Sequence, residues 1–225
     1  PRSTQGVSSA ASDVYKRQAI VNDPDVTLGT ITPEIHLEYA WNVDWDSLQM
    51  DSKYIILGGH MGAYDTEKYP YLNYEKQWLK RAIESNTHIL GICLGAQLIA
   101  DSMGGRAYLS NKIEFGFKNL EFLSKDSTFD SFKESKVFTW HRDTFELPDN
   151  AKLIAKTEYP QIFTINNAIA LQFHPEIELE LFNLWYSSDV SQKELITYGV
   201  EEEVMYLKNN LNQLKISMGC ILYTS

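Results

Sequence analysis

Ile89-Leu90-Gly91-Ile92-Cys93-Leu94-Gly95-Ala96-Gln97 is the stretch from which the rest of the chain can be read. The apolar run entering it predicts a buried strand, and Leu94 to Met103 continues as a helix-like stretch closed by Gly104-Gly105. Cys93 then occupies a sharp strand-to-helix turn. A thiol there lies at the positive end of a helix dipole, which favours the thiolate. Small neighbours let the backbone turn tightly and let a substrate approach. This is the logic of a nucleophile elbow, as useful to cysteine as to serine. The competing explanation is a buried core cysteine, a common fate for that residue.

Outward from the elbow, strands and helices alternate. Ala19-Ile20-Val21-Asn22 predicts a first strand, and Leu28 to Ile35 a weak helix interrupted by Pro33. His36 to Val43 alternates with period two. Tyr54-Ile55-Ile56-Leu57 reads as a buried parallel strand running into Gly58-Gly59. Between that loop and the elbow, Tyr71 to Ser85 places apolar residues at 71, 74, 78, 79, 82 and 83, the spacing of an amphipathic helix. This order predicts an α/β fold: a doubly wound, mostly parallel sheet with helices on both faces.

The second half predicts a small additional antiparallel element. Lys112–Leu123, Lys136–His141, Lys152–Lys156, Gln161–Ile165 and Ala168–Phe173 are short and turn-separated, with Asn166-Asn167 suited to a hairpin. Two helices follow. One covers Ile177 to Tyr186; the other starts at Ser191, with Glu194 completing a capping box and Val200, Val204, Leu207, Leu211 and Leu214 forming an apolar stripe.

The bulk properties narrow the function. With 225 residues, 44% of them hydrophobic, the chain can build one substantial core. A net charge of −10 argues against nucleic acid as a ligand. No apolar run approaches the roughly 20 residues of a membrane span, and no secretory leader is visible. The only cysteines are Cys93 and Cys220, and no Cys/His spacing suggests a zinc site. Neither a metal nor another cofactor is expected. A thiol that must stay reduced suits a cytoplasmic setting. Residues 1–17 and 217–225 read as non-native or disordered flanks, which makes Cys220 irrelevant to function.

A nucleophilic cysteine needs a base, a group to orient that base, and donors for the oxyanion. His174, in Leu171-Gln172-Phe173-His174-Pro175-Glu176, follows a predicted strand at the edge where open α/β sheets keep their sites. Glu176, two residues on, shares its side of an extended backbone and can hold one ring nitrogen. Elbow logic assigns the oxyanion donors to the N–H groups of Leu94 and Gly59. An ordinary glycine turn is the plainer explanation of Gly58-Gly59.

Gly-Ile-Cys-Leu-Gly-Ala-Gln at 91–97, His-Pro-Glu at 174–176 and Leu-Gly-Gly at 57–59 together resemble the class I glutamine amidotransferases. Tyr64-Asp65, Glu114-Phe115-Gly116 and Trp140-His141-Arg142-Asp143-Thr144-Phe145 are similar to stand-alone members akin to the amidotransferase domain of GMP synthetase. The resemblance covers about residues 19–215. It implies a flavodoxin-like amidotransferase domain over residues 18–216, with the segments outside it as flanks.

The resemblance also implies a mechanism. Cys93 attacks the side-chain amide of glutamine, His174 shuttles the proton, and Glu176 orients His174. Water then resolves a γ-glutamyl thioester. Gln97 and main-chain groups around Arg142 and Asp143 match the positions that hold the substrate. His141 is open to either a structural or a site role. Two departures from the common pattern are His60, where many members have proline, and Arg142, where related sequences carry glycine. Arg142 would place a bulky cation beside the pocket. Three readings remain open. The first is a glutaminase serving a separate ammonia-accepting synthetase chain. The second is a free-standing γ-glutamyl hydrolase or peptidase. The third is a non-catalytic regulator on the same fold, against which the intact Cys93, His174 and Glu176 speak.

Overall fold

The computed structural model describes residues 17–28 and 35–210. Its centre is an eight-stranded sheet whose strands alternate their side chains between two separate cores. The strands are β1 (Arg17–Val21), β2 (His36–Tyr39), β3 (Lys53–Ile56), β4 (His88–Ile92), β6 (Glu121–Phe122), β8 (Lys152–Lys156), β9 (Pro160–Ile165) and β10 (Ala168–Leu171). Their spatial order is β2-β1-β3-β4-β10-β9-β8-β6. The first five are mutually parallel, while β9, β8 and β6 extend the sheet in antiparallel pairings. The remaining strands, β5 (Arg106–Lys118) and β7 (Val137–Glu146), form a separate antiparallel ribbon.

Ile20, Ile56, Ile89 and Ala170 point to one face, where α1 (Tyr71–Glu84) and α2 (Leu94–Ser102) cover them with Leu72, Trp78, Leu79, Leu98 and Ile99. Val21, Leu57, Ile92 and Leu171 point to the other, beneath Phe129 and Phe132 of a 3₁₀ turn at Ser127–Phe132. A third cluster joins the ribbon to the C-terminal helices α3 (Leu179–Tyr186), α4 (Asp189–Thr197) and α5 (Glu201–Asn210) through Phe115, Phe138, Phe182, Leu195 and Leu207. The inner strands β1, β3, β4 and β10 are thus covered on both sides, which accounts for their near-continuous apolar runs, whereas the edge strands β2 and β6 stay largely exposed.

Packing of α2 explains Gly95. A Cβ at this position would lie 2.2 Å from the Ile56 carbonyl oxygen. Only glycine lets the helix start lie directly on β3, and that close approach sets where Cys93 stands.

Several sequence expectations need adjustment. The strand expected over His36–Val43 ends at Tyr39, and that over Ala168–Phe173 ends at Leu171. The segment read as Lys112–Leu123 divides into the end of β5 and the short β6. In α1, Tyr74 faces solvent and Glu75 is buried in its place. The last expected helix is two: Gly199, with φ of 66°, separates α4 from α5. Its cap is Ser188, whose side chain accepts from the Ser191 N–H, and not Ser191. Val204 and Leu207 are buried as the stripe required. The flanks at 1–16 and 217–225, Cys220, Leu211, Leu214 and most of the weak helix at 28–35 lie outside the described residues, whereas Arg17 already belongs to β1.

Candidate active site

The C-terminal ends of β1, β3, β4 and β10 converge where the strand order reverses around β1, the customary site of ligand binding in open α/β sheets. Cys93 stands there between β4 and α2. Its backbone adopts φ 52° and ψ −105°, a conformation unfavourable for a residue with a Cβ. Its N–H donates to the Leu171 carbonyl at 2.8 Å, while its own carbonyl accepts from Ala96 and Gln97 as the first turn of α2. Strand pairing on one side and helix initiation on the other hold the strained turn in place.

β10 ends just before the His174 segment. The Gln172 N–H donates to Gln161 O, and the His174 N–H donates to Phe138 O, both at 2.8 Å. These bonds carry the chain across β9 and β7 and aim His174 back toward the elbow. His174 Nδ1 lies 2.8 Å from Glu176 Oε1, and Glu176 is fully buried. The imidazole is packed edge-on against Trp185, with ring centres 4.9 Å apart. Trp185 is fixed in turn by donating its indole N–H to Asp25 O. Burial works against the imidazolium, but the Glu176 carboxylate and the Cys93 sulfur outweigh it and hold His174 well above the ordinary histidine value.

Cys93 lies close enough to His174 to help raise the imidazole's proton affinity. Gly58 adjoins both: a Cβ there would lie 3.4 Å from Cys93 Cβ and 3.6 Å from His174 Cε1. The structure therefore brings together the three residues singled out for chemistry, two of them far apart in sequence.

The two residues expected to supply oxyanion donors lie next to each other. Leu94 is the first residue of α2, so its N–H lies in the turn that no intrahelical carbonyl can serve. Gly59 packs beside it, since a Cβ on Gly59 would stand 3.2 Å from Leu94 Cδ2.

The residues expected around the substrate form a second group. Gln97 Nε2 donates to the Asp143 carbonyl at 3.3 Å and to Gln172 Oε1 at 3.4 Å. Gln172 Nε2 lies 3.7 Å from Cys93 Sγ. His141 places Nδ1 3.0 Å from the same Asp143 carbonyl and Nε2 3.1 Å from Glu114 Oε2. Burial pushes Glu114 upward, yet its bonds to His141 and Thr157 hold it below the usual carboxylate value. The Asp143 side chain accepts from the Tyr64 hydroxyl; burial nevertheless raises its value. The Arg142 guanidinium turns toward the C-terminal helices, donating to Tyr198 Oη at 3.2 Å with Glu194 3.7 Å away. His60 bonds to Asp23 and Tyr69.

Gln172 escaped the sequence reading, although its signal was present: it shares the two-residue parity of His174 and Glu176. Asn22 and Asp23 gave no comparable signal, because the bonds that tie them to Leu57, Glu75 and His60 reach residues more than thirty positions away.

Comparison with known proteins bears on the family and the fold. A Thermotoga maritima glutamine amidotransferase structure superposes with a TM-score of 0.76 at 28% identity, covering 91% of this chain and 95% of that one. A glutamine-hydrolyzing GMP synthase of Brachyspira hyodysenteriae is 36% identical over 132 residues, which is 56% of this chain and 24% of that protein. One subunit of the glutamine-hydrolyzing GMP synthase of Pyrococcus abyssi is 37% identical over 100 residues, 42% of this chain and 53% of its own length. The chain thus spans between a quarter and about half of the length of these two curated relatives. The profile of the family described as glutamine amidotransferase class-I matches residues 30–188, well over half of the sequence. This chain belongs to the class-I glutamine amidotransferase family.

Proposed function

We propose that this chain hydrolyses the side-chain amide of glutamine and passes the ammonia to an acceptor enzyme on a separate chain. The observation that carries the proposal is Cys93, held at a strained strand–helix turn and flanked, across Gly58, by a buried His174–Glu176 pair. Family membership supplies the substrate class. The Pyrococcus relative is named as one subunit of its enzyme, which supports an acceptor on another chain.

In this mechanism the Cys93 thiol gives its proton to His174, its Sγ attacks the amide carbon of glutamine, and the carbonyl electrons move onto oxygen. The N–H groups of Gly59 and Leu94 receive that oxygen, a contribution of about 2.7–4 kcal/mol for a single donor in comparable sites. His174 transfers a proton to the departing nitrogen, and the C–N bond breaks to leave ammonia and a γ-glutamyl thioester on Cys93. Water, deprotonated by His174, then attacks the thioester and releases glutamate with the thiol restored. Glu176 holds the imidazole in register through Nδ1, which leaves Nε2 for the sulfur and the leaving group. Gln97 and the main chain at Arg142 and Asp143 bind the amino-acid end of glutamine.

A substrate panel tests the proposal. Glutamine and several γ-glutamyl dipeptides are incubated with the protein, and ammonia, glutamate and free amino acids are measured. Ammonia and glutamate released in equal amounts from glutamine, with little dipeptide cleavage, is the expected result. Efficient dipeptide cleavage with slow glutamine turnover would replace this reading with a γ-glutamyl peptidase.

A further inference from the structure

Gly58 and Gly59 lie between two anchoring contacts, both made from the end of β1. Asn22 Nδ2 donates to the Leu57 carbonyl at 3.4 Å and to Glu75 Oε1 at 3.1 Å. The next residue, Asp23, accepts through Oδ2 from the His60 main-chain N–H at 3.1 Å and pairs with His60 Nδ1 at 2.5 Å. The contacts of two consecutive residues thus bracket the two glycines, the residues with the greatest conformational freedom in the loop.

The anchor is itself immobilised. Asp23 Oδ1 accepts from the Asp25 N–H, and the Asp23 carbonyl accepts from the Val26 N–H, both at 3.0 Å. Tyr71 donates its hydroxyl to the Asn22 carbonyl. His60 Nε2 meets Tyr69 Oη at 2.9 Å, and the Lys68 ammonium lies over the Tyr69 ring. Asn22 also packs near Gly59 directly: a Cβ on Gly59 would be 2.6 Å from Met61 Sδ, 3.2 Å from Leu94 Cδ2 and 3.5 Å from Asn22 Cβ. The anchor and the first residue of α2 thus both lie close to Gly59.

We propose that Asp23 is a positioning residue for the reaction, holding the Gly58-Gly59 loop through His60 so that the Gly59 N–H faces the oxyanion. This rests on the amide-hydrolysis reading above. Asp23 itself touches no reacting atom; it acts by fixing the peptide that follows Gly59. Charge favours the arrangement. Pairing with Asp23 lifts His60 to about 9, and although burial pushes Asp23 upward, His60 holds it below the ordinary aspartate value. The pair is therefore ionised across the neutral range.

The test compares wild type with Asp23→Ala, Asp23→Asn and His60→Phe in three measurements: glutamine kinetics, iodoacetamide alkylation of Cys93, and amide hydrogen exchange. Asp23→Ala is expected to lower kcat by about 10- to 100-fold, less than outright removal of an oxyanion donor, with little change in KM. Asp23→Asn, which keeps an oxygen for the His60 N–H, and His60→Phe, which keeps the N–H itself, should each lose less. Alkylation of Cys93 needs no oxyanion donor and should stay near the wild-type rate in all three. Exchange at Gly58, Gly59 and His60 should quicken in Asp23→Ala while β4 stays protected. If Asp23→Ala fails to fold, Asp23→Asn carries the comparison.

Unchanged exchange at the loop would overturn the proposal, as would faster exchange with kcat intact or a loss confined to KM. Absence of glutamine turnover in wild type would instead overturn the amide-hydrolysis reading. In that case loop exchange would still decide whether Asp23 is the anchor.

Discussion

His174 Nδ1 stands 2.8 Å from Glu176 Oε1, and both residues lie beyond the end of β10. Glu176 is buried with no exposed surface, so its carboxylate gains more from the imidazole than a solvated one would. This contact decides which ring nitrogen remains for Cys93, and it predicts an order of effects. His174→Ala should lower kcat by about 10²–10⁴-fold, the range for losing a general acid–base. Glu176→Gln keeps an oxygen to accept from Nδ1–H and should lose less. Steady-state kinetics on both variants, with circular dichroism to verify folding, checks the order; a larger loss in folded Glu176→Gln would give Glu176 a role beyond orientation.

The same pair makes stability depend on pH. Native His174 binds its proton more tightly than the unfolded chain, whose reference value is 6.5. Its contribution is fully present below pH about 6.5 and is lost as pH rises through the higher native value. Urea unfolding of the wild type should therefore show stability falling on the alkaline side of that reference. Replacing Glu176 by Gln removes the charge that raises His174 and should flatten this fall.

Glu75 is a second buried carboxyl with a distinct signature. Burial raises it to about 8, opposed only by the Asn22 hydrogen bond. The native state then holds a proton that the unfolded chain releases near its reference value of 4.5, so stability declines as pH rises from there through about 8. Glu75→Gln preserves an acceptor for Asn22 and cannot ionise. At pH 7 it should raise unfolding stability by about 1–3 kcal/mol and remove part of the pH slope, as measured by urea titration at several pH values.

Gly95 tests the packing that presents the nucleophile. Because its Cβ would meet the Ile56 carbonyl oxygen at 2.2 Å, Gly95→Ala must push α2 away from β3. The expected cost is about 3 kcal/mol or more, at or above the upper end of ordinary overpacking. Activity should fall further than the unfolded fraction explains, because the helix that moves starts directly after Cys93. Thermal unfolding and kinetics on the same sample distinguish the two effects.

Much of this arrangement is legible in the sequence alone. The elbow, the amphipathic α1 and the parallel strands are local patterns whose periodicity reports burial, and Cys93, His174 and Glu176 each sit at a recognisable break in such a pattern. What escapes depends on contacts across the sheet. Tyr74 fits the apolar spacing of α1, but Glu75 takes the buried place because Asn22 offers it a donor. The stripe from Val200 onward looks continuous with the preceding helix, yet the positive φ at Gly199 starts a new one. The sequence places Arg142 in the motif but gives no sign of its partner Tyr198, fifty-six residues away, to which its guanidinium donates.

The most direct measurement of the central claim is a rapid acid quench of the protein during glutamine turnover, followed by mass spectrometry of the peptide containing residue 93. The account predicts a glutamyl adduct on Cys93 that forms and decays with turnover and is absent from an inactive Cys93→Ala variant. Glutamine hydrolysis by Cys93→Ala, or an adduct that maps to any other residue, would contradict it.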